Sequence, residues 1–202
     1  MLLNLKTTAV LTIDLQNDFL HIDGAYGRAG QSSDEIAYLP ARLLPVIEAV
    51  RRLNGYYISA QFTLVPGPKG PIISSHLKAL RPFLTKGDFE PGTFGHDLFE
   101  TLKPADFTVE KVAYSAFWQS RLDYILRTLE IDTLIIGGIV TNGGVASTLR
   151  DAHVRNLNTI LLTDGCAAFQ KHIHDATLLS LSSITNQLTC SEALVLIEGT
   201  KS

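Results

Sequence analysis

Three side chains and one backbone segment of this sequence have the chemistry to share a single site. Asp14 closes the apolar run TAVLTID, Gln61 closes YYISAQ and Lys111 closes FTVEK, while a glycine-rich segment, GGIVTNGGVASTLRDA, follows the run TLIIG. A carboxylate and an ammonium brought together shift each other's pKa and share protons, which equips them for acid–base catalysis. Residues 141–144 open a helix whose first N–H groups lack internal partners and can hold an anion or a developing oxyanion. Gly143 and Gly144 let a ligand approach that backbone closely. Each member also has a plainer role. A strand-ending Asp is a common turn former or cap, a lone Lys is usually a solvated charge, and paired glycines suit a tight turn. Gln61 alone says little, so the signal lies in the set.

The elements that position this set follow from the hydrophobic pattern. Short β-branched runs alternate with helix-period segments, which predicts βαβ units around a parallel sheet. The expected strands are Thr8–Asp14, Tyr56–Gln61, Phe107–Lys111, Thr133–Gly137, Asn158–Thr163 and Ala193–Ile197. The expected helices are Leu39–Leu53 with Pro40 in its first turn, Arg121–Leu129 capped by Ser120, and stretches near 144–154 and 172–186. In open sheets of this kind ligands bind beyond the carboxyl ends of the strands, where Asp14, Gln61, Lys111 and the segment at 141–144 all fall. Residues 62–95 break the rhythm with five prolines and several glycines. A connection that long reads as a functional loop or lid, or else as a surface excursion. In that loop Lys69, Arg81 and Lys86 are candidate contacts for an acidic substrate, with solvated surface as their ordinary role.

Composition narrows the function classes. With 202 residues, 46% of them hydrophobic, the chain is expected to form one domain, residues 1–202, with a full core. Its 17 basic and 20 acidic residues give a net charge of −3, which offers nucleic acid or an anionic membrane no basic surface. The two cysteines, Cys166 and Cys190, form neither a disulfide framework nor a zinc motif, and a reducing, cytoplasmic setting is expected. The N-terminal run lacks the pattern of a signal peptide, and no window reaches the length of a membrane span. Neither a dinucleotide fingerprint nor a phosphate-binding P-loop motif is present. His172 and His174 are two apart and the other histidines are scattered. Asp14 and Asp18 are the only close carboxylates in a plausible position, so no metal and no cofactor are expected.

Taken in order, LTIDLQNDF, KVAYSAFWQSRL, GGIVTNGGVASTLRDA and LLTDGCAAF resemble the successive motifs of the isochorismatase-like, or cysteine hydrolase, superfamily across nearly the whole chain. The resemblance implies a Rossmann-like three-layer α/β/α sandwich with a mainly parallel six-stranded sheet, a cis peptide before Thr141 and a homo-oligomer acting on a small molecule. It implies that Asp14 and Lys111 are catalytic, with Gln61, Thr141, Asn142, Gly143, Tyr114 and Phe19 around the substrate. At the position where amide-cleaving members carry a nucleophilic cysteine the sequence has Gly144, and glycine cannot form a thiol adduct. Cys166 follows strand five and matches a separate family position, and Ser115, Thr141 and Ser147 read as structural or positioning groups, because no partner base accompanies them.

Two functions follow. In the first, favoured because both Asp14 and Lys111 are retained, the chain hydrolyses a small, anionic metabolite without a covalent intermediate. True isochorismatases also resemble it in having glycine at that position and a Gln ending strand two, and there a protonated Asp donates to an enol-ether carbon. In the second, the chain derives from the amide- and ureido-cleaving branch, which Val140-Thr141-Asn142 and STLRDA resemble, and it has lost its thiol and only binds ligand. A purely structural subunit is a third, weaker reading. The nicotinamidase branch fits poorly, because QFTLVPG stands where that branch places its metal ligands.

Overall fold

A computed structural model describes residues 3–200. Six strands, β1 (Thr8–Ile13), β2 (Tyr56–Phe62), β3 (Phe107–Lys111), β4 (Thr133–Ile139), β5 (Asn158–Ala167) and β6 (Asn186–Leu188), form one sheet in the order β3-β2-β1-β4-β5-β6. Every neighbouring pair is parallel. The helices are α1 (Asn17–Leu20), α2 (Ala25–Arg28), α3 (Asp34–Ala37), α4 (Leu39–Arg52), α5 (Ser75–Leu80), α6 (Leu122–Thr128), α7 (Ala146–Val154), α8 (Lys171–Leu181) and α9 (Cys190–Gly199). A single π turn, Thr141–Val145, leads into α7.

The three layers follow from alternation along buried strands. Val10, Tyr57, Ile135 and Ile160 pack on one face with Leu43, Val46 and Val50 of α4 and Ala193 and Ile197 of α9. Leu11, Ile13, Ile58, Val109 and Ile136 point the other way, onto Leu122 and Ile125 of α6 and Leu149 of α7. Both faces are covered, so β1 and β4 are buried along their whole length. The order reverses between β1 and β4, which places the crevice of the switch point beside Asp14. Gly138, at φ +124°, lets β4 approach β1 there, because a Cβ would lie 2.2 Å from the Ile13 carbonyl oxygen.

Two expected elements change. Ala193–Ile197 is not a strand but the body of α9, and the sixth strand is the short polar segment Asn186–Leu188. Thr189 and Glu192 form a capping box that starts α9, and the apolar run buries Ala193 and Ile197 one helical turn apart. The helix expected near 172–186 ends at Leu181. Strand β5 runs on past the expected Thr163 to Ala167 and β4 past Gly137 to Ile139, whereas α4 has its proline in the first turn as expected and Ser120 Oγ accepts the Leu122 amide at 3.1 Å just before α6. The cis peptide lies at Ile139–Val140, one bond earlier than expected.

The loop over 62–95 is packed rather than loose. It contains α5, and Leu64, Leu84 and Phe89 form a third apolar cluster with Ala25 and Tyr26 over the ends of the strands. Asp18 fastens it down: one carboxylate oxygen accepts the Ala25 amide at 2.8 Å and the other the Phe89 amide at 2.6 Å.

Candidate active site

Asp14 follows β1 directly and adopts φ +59°, a left-handed conformation that Asp tolerates better than most residues. Its amide still bonds the Ala60 carbonyl at 2.8 Å, so the chain turns out of the sheet at this residue. Lys111 ends β3, with β2 in between. Two strand spacings are roughly 10 Å, a gap that an extended lysine and an aspartate close together. The ammonium sits 2.9 Å from Asp14 Oδ2, donates to the Ala113 carbonyl at 2.8 Å and lies 5.1 Å from the centre of the Phe62 ring. Both residues are buried, Lys111 to 2% exposure.

Burial dominates the electrostatics. It pushes the Asp14 carboxyl up from its ordinary 3.8 to about 6, against the opposing pull of Lys111. Asp14 Oδ1 is buried with no hydrogen-bond partner among the described residues. A carboxyl poised near neutrality with one free oxygen can take a proton or give one.

Asp14, Lys111 and Gly144 line one cavity of about 320 Å³. Gly144 presents only backbone there, and a Cβ on it would lie 3.1 Å from Asp14 Oδ2 and 2.9 Å from Ile13 Cγ2. Phe19 and Tyr114 line the same cavity, as expected of substrate contacts, and so does Arg81. Gln61, Thr141, Asn142 and Gly143 do not. Gln61 turns its amide to the His96 carbonyl at 3.0 Å, bracing the loop instead of facing the cavity. Thr141 is buried against His174, whose Nδ1 lies 2.8 Å from its hydroxyl, and Asn142 is exposed. The Gly143 amide already donates to the Val140 carbonyl at 2.9 Å, which removes one donor from the expected anion cradle, while the Tyr114 ring lies close beside it. Lys69 and Lys86 lie outside the cavity lining.

The aromatic part of the remaining wall, Tyr26, Phe62, Phe89 and Phe169, escaped the sequence reading because it comes from four distant segments, and Ser74 and His76 add polar side chains to the same lining. Burial pushes the Cys166 and Cys190 thiols up, which makes both poor nucleophiles. Among the described residues no group of three or more His, Cys, Asp or Glu is placed to hold a metal ion, and no helix is long and apolar enough to cross a membrane. A second, wider groove of about 720 Å³ shares Phe169 with the first; both its cations are paired, Arg42 with Glu35 and Lys171 with Asp175, and Asp164 on its wall accepts the Cys190 amide at 2.6 Å.

The isochorismatase domain model matches residues 8–193. The chain belongs to the isochorismatase family. It is a hydrolase with the family's six-stranded parallel α/β fold. The ureidoacrylate amidohydrolase RutB of Caulobacter segnis is 32% identical over 193 residues, spanning 88% of this chain and 80% of that protein. In structure, the cysteine hydrolase of Pseudomonas syringae pv. phaseolicola 1448A superposes with a TM-score of 0.85 at 24% identity, covering 99% of this chain and 96% of the other. The N-carbamoylsarcosine amidase of Thermoplasma acidophilum gives 0.70 at 24% identity, over 91% and 96%.

Proposed function

We propose that this isochorismatase-family hydrolase cleaves the C–N bond of a small amide or ureido acid by direct attack of water, without a covalent intermediate. The observation that carries the reading is the buried Asp14–Lys111 pair, 2.9 Å apart, on the floor of a cavity where residue 144 contributes no side chain. The sequence similarity to an amidohydrolase supports C–N cleavage over the enol-ether reaction. Position 144, where the motif resemblance sets the nucleophilic thiol, leaves the carbonyl carbon accessible to water instead.

In this mechanism ionised Asp14 takes a proton from water as its oxygen bonds to the carbonyl carbon. Lys111 holds the carboxylate in place and favours its charged form. The tetrahedral intermediate then breaks its C–N bond, and Asp14 returns the proton to the departing nitrogen. An amide yields a carboxylic acid and an amine, and a ureido group yields a carbamic acid and an amine. The amides of the 141–145 turn other than those of Gly143 and Val145, which both donate to the Val140 carbonyl, are candidate donors to the oxyanion.

A second reading, enol-ether hydrolysis, is favoured by one observation: a carboxyl held at about 6 keeps a proton available for donation to carbon. A screen of purified protein separates the two, reading amine or ammonia from amide and ureido acids and pyruvate from enol ethers. We expect amine release that falls by a factor of about 10² to 10⁴ in Asp14→Asn, the range of a lost acid–base group. Amine release insensitive to Asp14→Asn, or its absence, overturns the first reading, and pyruvate release alone establishes the second.

A further inference from the structure

The cavity wall runs without a break from one cation to another. The Lys111 ammonium lies over Phe62; Phe62 meets Phe89 edge-on at 5.1 Å; Phe89 and Phe19 are 4.6 Å apart, and Phe19 and Tyr26 4.7 Å. Tyr26 stacks on Phe169 at 5.4 Å with the rings parallel within 1°, and its hydroxyl accepts the Arg81 Nε–H at 3.0 Å. The reacting pair is therefore at one end of an aromatic wall and a guanidinium at the other. Arg81 forms no ion pair with any described carboxylate; besides Tyr26 it donates only to the Leu80 carbonyl, through Nη1. A guanidinium so placed presents its unused donors to a carboxylate in fork geometry.

We propose that the site selects amide or ureido acids with an aromatic body, whose carboxylate reaches Arg81 while the C–N bond lies at Asp14. The inference rests on the reading of Asp14 and Lys111 as the reacting end, and adds the substrate class. Along the aromatic wall the Tyr26 hydroxyl, already bonded, is the one polar group; Ser74, His76 and Tyr114 bring polar side chains to other parts of the lining. A polar chain laid on the ring faces would lose water without gaining partners there, whereas a ring gains both burial and ring-edge contacts. A cavity of about 320 Å³ is at the small end of ligand sites and suits a single ring with short substituents.

The test compares three probes, 4-ureidobenzoate, its carboxamide, and N-carbamoylglycine. Binding is read by calorimetry on full-length Asp14→Asn, and by thermal shift on the unaltered protein should that variant fail to fold. We expect the aryl acid to bind at least tenfold more tightly than either of the others. Arg81→Met is expected to abolish the difference between acid and carboxamide while keeping the preference for the ring. Equal binding of N-carbamoylglycine and the aryl acid overturns the proposal, and its turnover would still leave C–N hydrolysis standing. An Arg81→Met loss that is the same for acid and carboxamide also overturns it, since that is what a merely structural arginine produces. If the expected binding pattern appears but the unaltered protein turns over none of the probes, the selectivity stands and the assignment of Asp14 falls.

Discussion

Replacing Gly144 by alanine tests the site at its tightest point. The added Cβ would lie 2.9 Å from Ile13 Cγ2 and 3.1 Å from Asp14 Oδ2, where carbon contacts ordinarily settle at about 3.5–4.0 Å. Ile13 cannot swing aside cheaply. Its Cγ2 is attached directly to Cβ, and the residue is fully buried in β1. Relief requires moving the strand or the turn by about half an ångström, and overpacking of this kind costs about 1–3 kcal/mol. In a chain of this length each kcal/mol lowers Tm by about 2–4 °C, so the melt should fall by about 2–12 °C. The methyl also stands between the Asp14 carboxylate and the reacting carbon. Loss of that access should lower kcat/KM by about 10² or more, even where the variant is fully folded. Thermal melts and steady-state kinetics on the same preparation separate the two effects. A Gly144→Ala protein with unchanged Tm and kcat/KM would refute the claim that the bare backbone at 144 serves the reaction.

Other outcomes follow from the same geometry. If Asp14 acts as base, kcat/KM should rise as pH climbs through about 6 and then level, whereas an acid role inverts the curve. Lys111→Met removes the cation that opposes burial, so the midpoint of that profile should move to higher pH, measured by the same assay. Because the folded chain binds the Asp14 proton more tightly than the unfolded chain, this group's stabilisation is full below about 3.8 and is lost as pH rises through about 6; chemical denaturation of the parent and Asp14→Asn across that window should diverge accordingly. Asp18→Ala leaves the buried Ala25 and Phe89 amides without acceptors, at about 1–3 kcal/mol for each. It should lower Tm and, by loosening Phe89 in the cavity wall, raise KM more than it lowers kcat.

Much of this arrangement is legible in the amino-acid order, for identifiable reasons. Strands β1, β2, β4 and β5 announce themselves because burial on both faces makes them largely apolar runs, the edge strand β3 alternates instead, and the carboxyl-end rule then brings Asp14 and Lys111 to one crevice. ALVLI at 193–197 misleads because a short apolar run fits a buried strand and a buried helix equally. The deciding signal, Thr189 with Glu192 three residues on, lies just outside the run. Gln61 ends its strand where expected, yet a strand end fixes a position and not the direction of a long side chain, and the His96 carbonyl claims it. The aromatic wall is invisible in sequence, because Phe19, Phe62, Phe89 and Phe169 become neighbours only once Asp18 has folded the long loop back over the strands.

The strand order also bears on how such a protein can change through descent. The carboxylate and ammonium come from one half of the sheet, β1 and β3, while residue 144 comes from the opposite half, after β4. The two halves meet where residue 144 faces Ile13 and Asp14 Oδ2, so a side chain gained at 144 presses directly on the proton-handling pair. A lineage that gains or loses a side chain there must adjust β1 as well, so a change of chemistry at 144 is written into both halves of the scaffold.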